Sequence, residues 1–120
     1  MRKYLFVCAS NFDRSPLCEK HFQEKYPQHE FRSAGVNEYH TGNKGTRYLT
    51  QEDIEWADMI IYAENVHRDI AGQKFKLPIR HDMICAILDC GEYERGSSGE
   101  SYLACAEAKL MPMMLDDSEQ

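Results

Sequence analysis

The chain has 120 residues, 42% of them apolar, and 14 basic against 20 acidic side chains give a net charge of −6. That length is enough for one domain with a buried core, and the acid excess excludes a general nucleic-acid binder, which needs clustered cations. No apolar run approaches the ~20 residues of a membrane-crossing helix, and five cysteines without a small-scaffold spacing or secretory signal point to a reducing, cytoplasmic setting.

In chain order, Lys3 to Cys8 reads as a first strand, and Ser15 to about Tyr26 as a helix stopped by Pro27. Leu17, Phe22 and Tyr26 suit its buried side. Glu30 to Ser33 reads as a second strand ending at Ala34-Gly35, and the segment through Gly42 and Gly45 as a long loop. Thr50 followed three residues later by Asp53 marks a helix start, with a short helix to Trp56. The continuous apolar run Asp58 to Ala63 fits a strand covered on both faces of a parallel sheet. A helix from Asn65 to Ala71, a strand from Met83 to Leu88, a loop from Asp89 to Gly99 and a helix from Glu100 to about Leu110, ended or bent by Pro112, complete the order. Strands alternating with helices imply a three-layer α/β sandwich on a parallel sheet. Residues 1–115 form its single domain, and 116–120 are an acidic tail.

In such sheets ligands sit beyond the carboxyl ends of the strands. At the end of the first strand stands Cys8-Ala9-Ser10-Asn11-Phe12-Asp13-Arg14-Ser15-Pro16, a Cys-x5-Arg-Ser element leading into a helix. Its backbone N–H groups can curl around one oxyanion, and the helix aims its positive end at the same point. The same donors favour a negative sulfur, so Cys8 is read as a thiolate nucleophile. Arg14 offers a planar fork that bridges two phosphate oxygens. Ser15 can direct its hydroxyl at the sulfur or cap the helix, and Pro16 suits the first helical turn. Asparagine tolerates left-handed backbone, which suits Asn11 to the loop.

In Phe6-Val7-Cys8 through Pro16, Ser33-Ala34-Gly35-Val36, Leu49-Thr50, Ile54 through Ile60 and, more weakly, Ile87-Leu88-Asp89, the chain resembles the low-molecular-weight protein tyrosine phosphatase family, especially its small bacterial and phage-type members. The resemblance implies a four-stranded parallel sheet with Cys8 as nucleophile, Arg14 as phosphate clamp, Ser15 as donor to the thiolate and Asn11 as holder of the loop backbone. Ala9, Ser10, Asn11, Phe12, Asp13, Arg14 and Ser15 would line the phosphate site. It also implies a late-loop carboxylate that protonates the leaving oxygen. Here that stretch reads Asp89-Cys90-Gly91-Glu92-Tyr93 without proline, so Asp89 and Glu92 are both candidates, and Asp89 is favoured for its place at a rigid strand end. Asp13, uncommon at its place in the family, is expected to face solvent, because a carboxylate beside a dianion weakens binding. The substrate would be a phosphotyrosine protein or a small aryl phosphate.

This chemistry uses no metal or cofactor, and His21, His29, His40, His67 and His81 show no metal-ligand spacing. Phe12, Tyr39 and Tyr93 could wall an aryl pocket. Two other functions are compatible with the residues. A thioredoxin-coupled arsenate reductase would use Cys85 or Cys90 to resolve an adduct on Cys8, and Cys90 could instead form a protective disulfide with Cys8. A phosphotyrosine- or oxyanion-binding module would bind without turnover.

Overall fold

The computed structural model describes residues 1–77, 85–93 and 97–118. Strands β1 (Lys3–Cys8), β2 (Glu30–Gly35), β3 (Met59–Tyr62) and β4 (Cys85–Ile87) make one parallel sheet in the order β2-β1-β3-β4. The helices are α1 (Arg14–Lys25), α2 (Glu38–Lys44), α3 (Gln51–Trp56), α4 (Asn65–Lys74) and α5 (Glu100–Ser118). The expected start of β4 at Met83 lies outside the described residues, as does His81.

Side-chain alternation along β1 divides the core into two layers. Tyr4 and Phe6 point to one face, where they pack with Phe22 and Cys18 of α1, Phe31, Ile61 and Leu88, and Tyr102, Ala106 and Leu110 of α5. Leu5 and Val7 point to the other, against Ala34, Ile54 of α3, Ile60, Tyr62 and Ala71 of α4. Burial on both faces explains why β1 and β3 read as unbroken apolar runs rather than as alternating ones. The first layer is strongly aromatic: Phe6 stacks on Phe22 at 5.5 Å between centroids, and Tyr4 on Phe31 at 5.2 Å.

Three features depart from the sequence expectations. The segment read as a loop through Gly42 and Gly45 contains α2, begun by Asn37, whose side chain accepts from His40 N–H, and ended at Gly45 with φ 67°. The glycine taken as a loop signal is therefore the left-handed cap of a short helix. Secondly, α5 runs through Pro112 to Ser118, including part of the expected acidic tail. Pro112 and Ala108 lie on the exposed side of α5, so water can serve the Ala108 carbonyl that loses its N–H partner. Thirdly, Cys90 is bonded to Cys105, 15 residues away, and not to Cys8. A cross-link closing a loop of that size contributes about 3 kcal/mol on the chain-entropy account.

The segment following α2 is tied down by Asp53, which has its side chain almost wholly buried. It completes a capping box with Thr50 at the start of α3 and pairs with Arg47 and Arg32, and Arg32 also lies over the Trp56 ring at 4.1 Å. Burial works against the Asp53 charge, but the Arg47 and Thr50 hydrogen bonds outweigh it and hold the carboxyl below its ordinary range. Asp53→Ala is expected to lower stability by about 2 kcal/mol through loss of the cap and stranding of the two arginines, as read by urea denaturation.

Candidate active site

Strand order 2-1-3-4 reverses direction between β1 and β3, so a crevice opens beyond their carboxyl ends. Cys8 closes β1 on one side of that crevice and Glu64 follows β3 on the other. Between Cys8 and α1 the chain loops through Ala9 to Asp13, and the way its carbonyls are tied decides what the loop presents. Cys8 O accepts from Val36 N–H at 3.0 Å, Ala9 O from Asn37 N–H at 2.9 Å, and Ser10 O from the Thr46 hydroxyl. In a trans peptide the N–H lies opposite the C=O, so the amides of Ala9 and Ser10 face the concavity those residues line.

Asn11 turns the loop with φ 53°, a left-handed conformation that asparagine tolerates. Its side chain fixes that turn by donating to Ser15 Oγ and Ser33 Oγ, each at 2.9 Å, while its Oδ1 accepts from Arg47 N–H at 3.2 Å. Ser33 in turn donates to Glu19 at 2.6 Å. Because Ser15 Oγ accepts a hydrogen bond from Asn11 Nδ2, its own hydroxyl hydrogen is left for Cys8 Sγ, 3.0 Å away, or for Ala34 O at 3.4 Å. Cys8 is 3% exposed. Gly35 backs the loop so closely that a Cβ would sit 2.6 Å from Ala9 O and 2.8 Å from Asn11 N.

Arg14 opens α1 and is 8% exposed. Its Nη1 donates to Glu64 Oε2 at 2.7 Å and to Gly91 O at 3.1 Å, which fixes the guanidinium plane across the crevice. Nη2 and Nε have no partner among the described residues and remain donors for an oxyanion. Burial opposes the Arg14 charge, but the Glu64 hydrogen bond overcomes it and raises its pKa; the same bond lowers that of Glu64. Glu64 is positioned from behind, its own N–H donating to Nδ1 of buried His67 at 3.1 Å. Burial, then the Arg14 charge, pushes His67 from 6.5 down to about 4, so it stays a neutral acceptor.

A cavity of about 380 Å³ opens above the thiol, lined by Cys8, Ala9, Ser10, Asp13, Arg14, His40, Glu92 and Tyr93. Both late-turn carboxylates are exposed, but Glu92 lines this cavity and Asp89, the residue favoured from sequence, does not. Asp89 follows the sheet with its N–H bonded to Ala63 O, and the chain then turns through positive φ at Asp89 (51°) and Gly91 (76°) before Glu92. Asp13 does not simply face solvent: it is half-buried at the cavity wall, where the Tyr93 hydroxyl donates to its carbonyl at 3.0 Å. Of the aromatic candidates, Tyr93 lines the cavity, Phe12 lies under Lys44 Nζ at 4.3 Å, and Tyr39 is 73% exposed.

Glu64, His67, Ser33 and His40 were missed from sequence. Glu64 alone had a usable signal, as a carboxylate at the carboxyl end of a strand beside β1. Cys85 packs against the second core layer. Buried Cys18 is pushed up to about 12 by desolvation and the nearby Cys8, which keeps it a thiol. Among the described residues no group of three or more His, Cys, Asp or Glu is placed to hold a metal ion, and no helix is long and apolar enough to cross a membrane.

A four-stranded parallel sheet with a thiol at its switch point is the architecture of the low-molecular-weight protein tyrosine phosphatases, and in fold this chain is similar to them. The comparisons agree. Over the whole chain the fold is similar to that of Wzb from Vibrio vulnificus in complex with benzylphosphonate (TM-score 0.69, 18% identity, 92% of this chain and 95% of that one). It is equally similar to the YwlE arginine phosphatase from Geobacillus stearothermophilus (0.68, 22%, 100% and 94%) and to a low-molecular-weight phosphotyrosine phosphatase from Vibrio cholerae O395 (0.68, 19%, 100% and 97%). In sequence, 53 residues are 38% identical to the low-molecular-weight protein-tyrosine-phosphatase PtpB of Staphylococcus aureus, covering 44% of this chain and 37% of that relative. No family model matches. The resemblance to the low-molecular-weight protein tyrosine phosphatase family stands, in fold over the full chain and in sequence over just under half of it.

Two expectations follow. Gly35→Ala should displace the loop and weaken orthovanadate binding by at least about tenfold, measured by calorimetry beside a folded-state check by circular dichroism. The unfolded chain takes up a proton on His67 between pH 6.5 and 4 that the folded chain refuses, so this residue's contribution is complete above 6.5 and is lost as pH falls toward 4. His67→Gln should flatten that part of the stability profile, as read by denaturation at pH 7 and pH 4.5.

Proposed function

We propose that the chain is a cysteine-dependent phosphomonoester hydrolase acting on phosphotyrosine proteins or small aryl phosphates. The observation carrying this reading is the 3.0 Å contact between Cys8 Sγ and a Ser15 hydroxyl whose oxygen already accepts from Asn11, at the base of a cavity that also holds Arg14. Phosphate oxygens would occupy the Ala9 and Ser10 amides and the Nη2 and Nε donors of Arg14, with Asn11, Phe12 and Asp13 completing the loop. Cys8 then attacks phosphorus in line, the P–O bond to the aryl group breaks, and a carboxylic acid gives its proton to the departing oxygen. In the second half the same carboxylate removes a proton from water, which attacks phosphorus and returns Cys8 as thiolate.

Glu92 is assigned as that acid and base, because it lines the cavity with Arg14 and Asp89 does not. Asp13 stands at the same wall and sets a charge against the incoming dianion, a repulsion of roughly 1–4 kcal/mol at ~4 Å depending on local dielectric. The names of the relatives support the phosphoester class, and the aryl character follows from Tyr93 in the lining.

The test is hydrolysis of p-nitrophenyl phosphate in EDTA. Turnover should be abolished by Cys8→Ser, fall about 10²–10⁴-fold in Glu92→Gln, and change less than about threefold in Asp89→Asn. No turnover by the folded chain would remove the enzyme reading and leave oxyanion binding, measurable with vanadate. A large loss in Asp89→Asn with Glu92→Gln active would reverse the assignment of the acid.

A further inference from the structure

The turn that carries Glu92 is held in an unusual way. Leu88 and Asp89 are still tied to the sheet through Tyr62 O and Ala63 O, both at 2.9 Å. From Cys90 to Tyr93, no backbone–backbone hydrogen bond occurs among the described residues. Cys90 stands between two residues of positive φ, Asp89 at 51° and Gly91 at 76°; glycine adopts this freely, and Asp89 bears the conformational cost. Two contacts join the turn to the phosphate loop: Gly91 O to Arg14 Nη1 and the Tyr93 hydroxyl to Asp13 O. Two join it to α5: the Tyr93 ring lies 5.8 Å from that of Tyr102, and Cys90 is bonded to Cys105. Only the last of these is covalent. Both sulfur-bearing residues are half-buried rather than enclosed, which leaves the cross-link within reach of a thiol.

We propose that Cys90 and Cys105 form a dithiol–disulfide centre whose redox state sets how well the 89–93 turn serves the phosphate site, the oxidised form being the more active. A dithiol reductant is the reaction partner. One of its thiolates attacks a sulfur of the cross-link and displaces the other cysteine as thiolate; its second thiolate then attacks the mixed disulfide, and the reductant leaves as its own disulfide. Two electrons and two protons pass to Cys90 and Cys105. Without the cross-link, the contacts named here that hold the turn are the Arg14, Tyr93 and Tyr102 ones and the sheet bonds of Leu88 and Asp89, and both the Gly91 carbonyl that steadies Arg14 and the Glu92 carboxyl lose their fixed positions. The phosphate loop itself, tied to β2, α2 and Arg47, does not depend on the cross-link. This inference rests on the phosphatase reading for its effect on rate, but not for the existence of the centre.

The experiment equilibrates the full chain in graded dithiothreitol redox buffers, maps the cross-linked peptide by mass spectrometry, and measures kcat on p-nitrophenyl phosphate beside the double variant C90S/C105S, which controls for oxidation at Cys8. The expected result is a fall in kcat of about tenfold or more that tracks loss of the Cys90–Cys105 peptide, while the double variant shows the low value in every buffer. A cross-linked peptide absent from the oxidised chain, or a kcat unchanged once it has gone, overturns the proposal. If neither state hydrolyses the substrate, the phosphatase reading fails and hydrogen exchange of residues 89–93 decides this one. Exchange that rises on reduction in the wild type alone supports it, and unchanged exchange overturns it.

Discussion

The carbonyls of Cys8, Ala9 and Ser10 are bonded outward, to Val36, Asn37 and Thr46, and the rest of the site depends on that constraint. A loop whose carbonyls faced inward would repel an oxyanion; with them committed to β2 and the residues around α2, the amides are left on the concave side. Asn11 fixes the remaining degree of freedom, and Gly35 supplies the close backbone approach that lets the second strand reach the loop at all. Strand pairing, the α2 cap and the Asp53 ion pairs are thus linked to the chemistry through a handful of backbone hydrogen bonds. Arg14 is held with similar economy, by one carboxylate from the end of β3 and one carbonyl from the late turn.

Much of this was readable from the residues. The Cys-x5-Arg-Ser spacing, a strand before it and a proline after it place an oxyanion loop between strand and helix, and the structure has α1 beginning at Arg14. Thr50 and Asp53 announced a capping box that the structure contains. The failures have physical causes. Glycine at 42 and 45 was taken for a loop because one helix-ending glycine looks like any other turn glycine when the helix has only seven residues. Pro112 does not end α5, because an exposed carbonyl can lose its N–H partner to water.

The acid loop was the least legible part. Periodicity says nothing about a five-residue turn, and its course depends on two left-handed residues and a disulfide partner 15 positions away. Strand-end rigidity favours Asp89, whereas the residue lining the cavity is Glu92, three positions on, and the sequence does not say which of two loop carboxylates a turn brings to a cavity wall. His67 is illegible for a related reason, since an imidazole on a separate βα connection acquires meaning only when β3 is laid beside β1, and Glu64 shows only as a carboxylate at a strand end.

The central position of β1 separates the two halves of the site in stability. Five consecutive residues from Tyr4 to Cys8 are buried, and the four from Tyr4 to Val7 are paired on both sides, so the sulfur is mounted at the end of the segment that opens last. The turn bearing Glu92 hangs from the short edge strand β4 and belongs to a weaker cooperative unit. On the proposed reading, warming would therefore free the Glu92 carboxyl before the Cys8 sulfur, leaving a state that still captures an oxyanion but no longer protonates a leaving group.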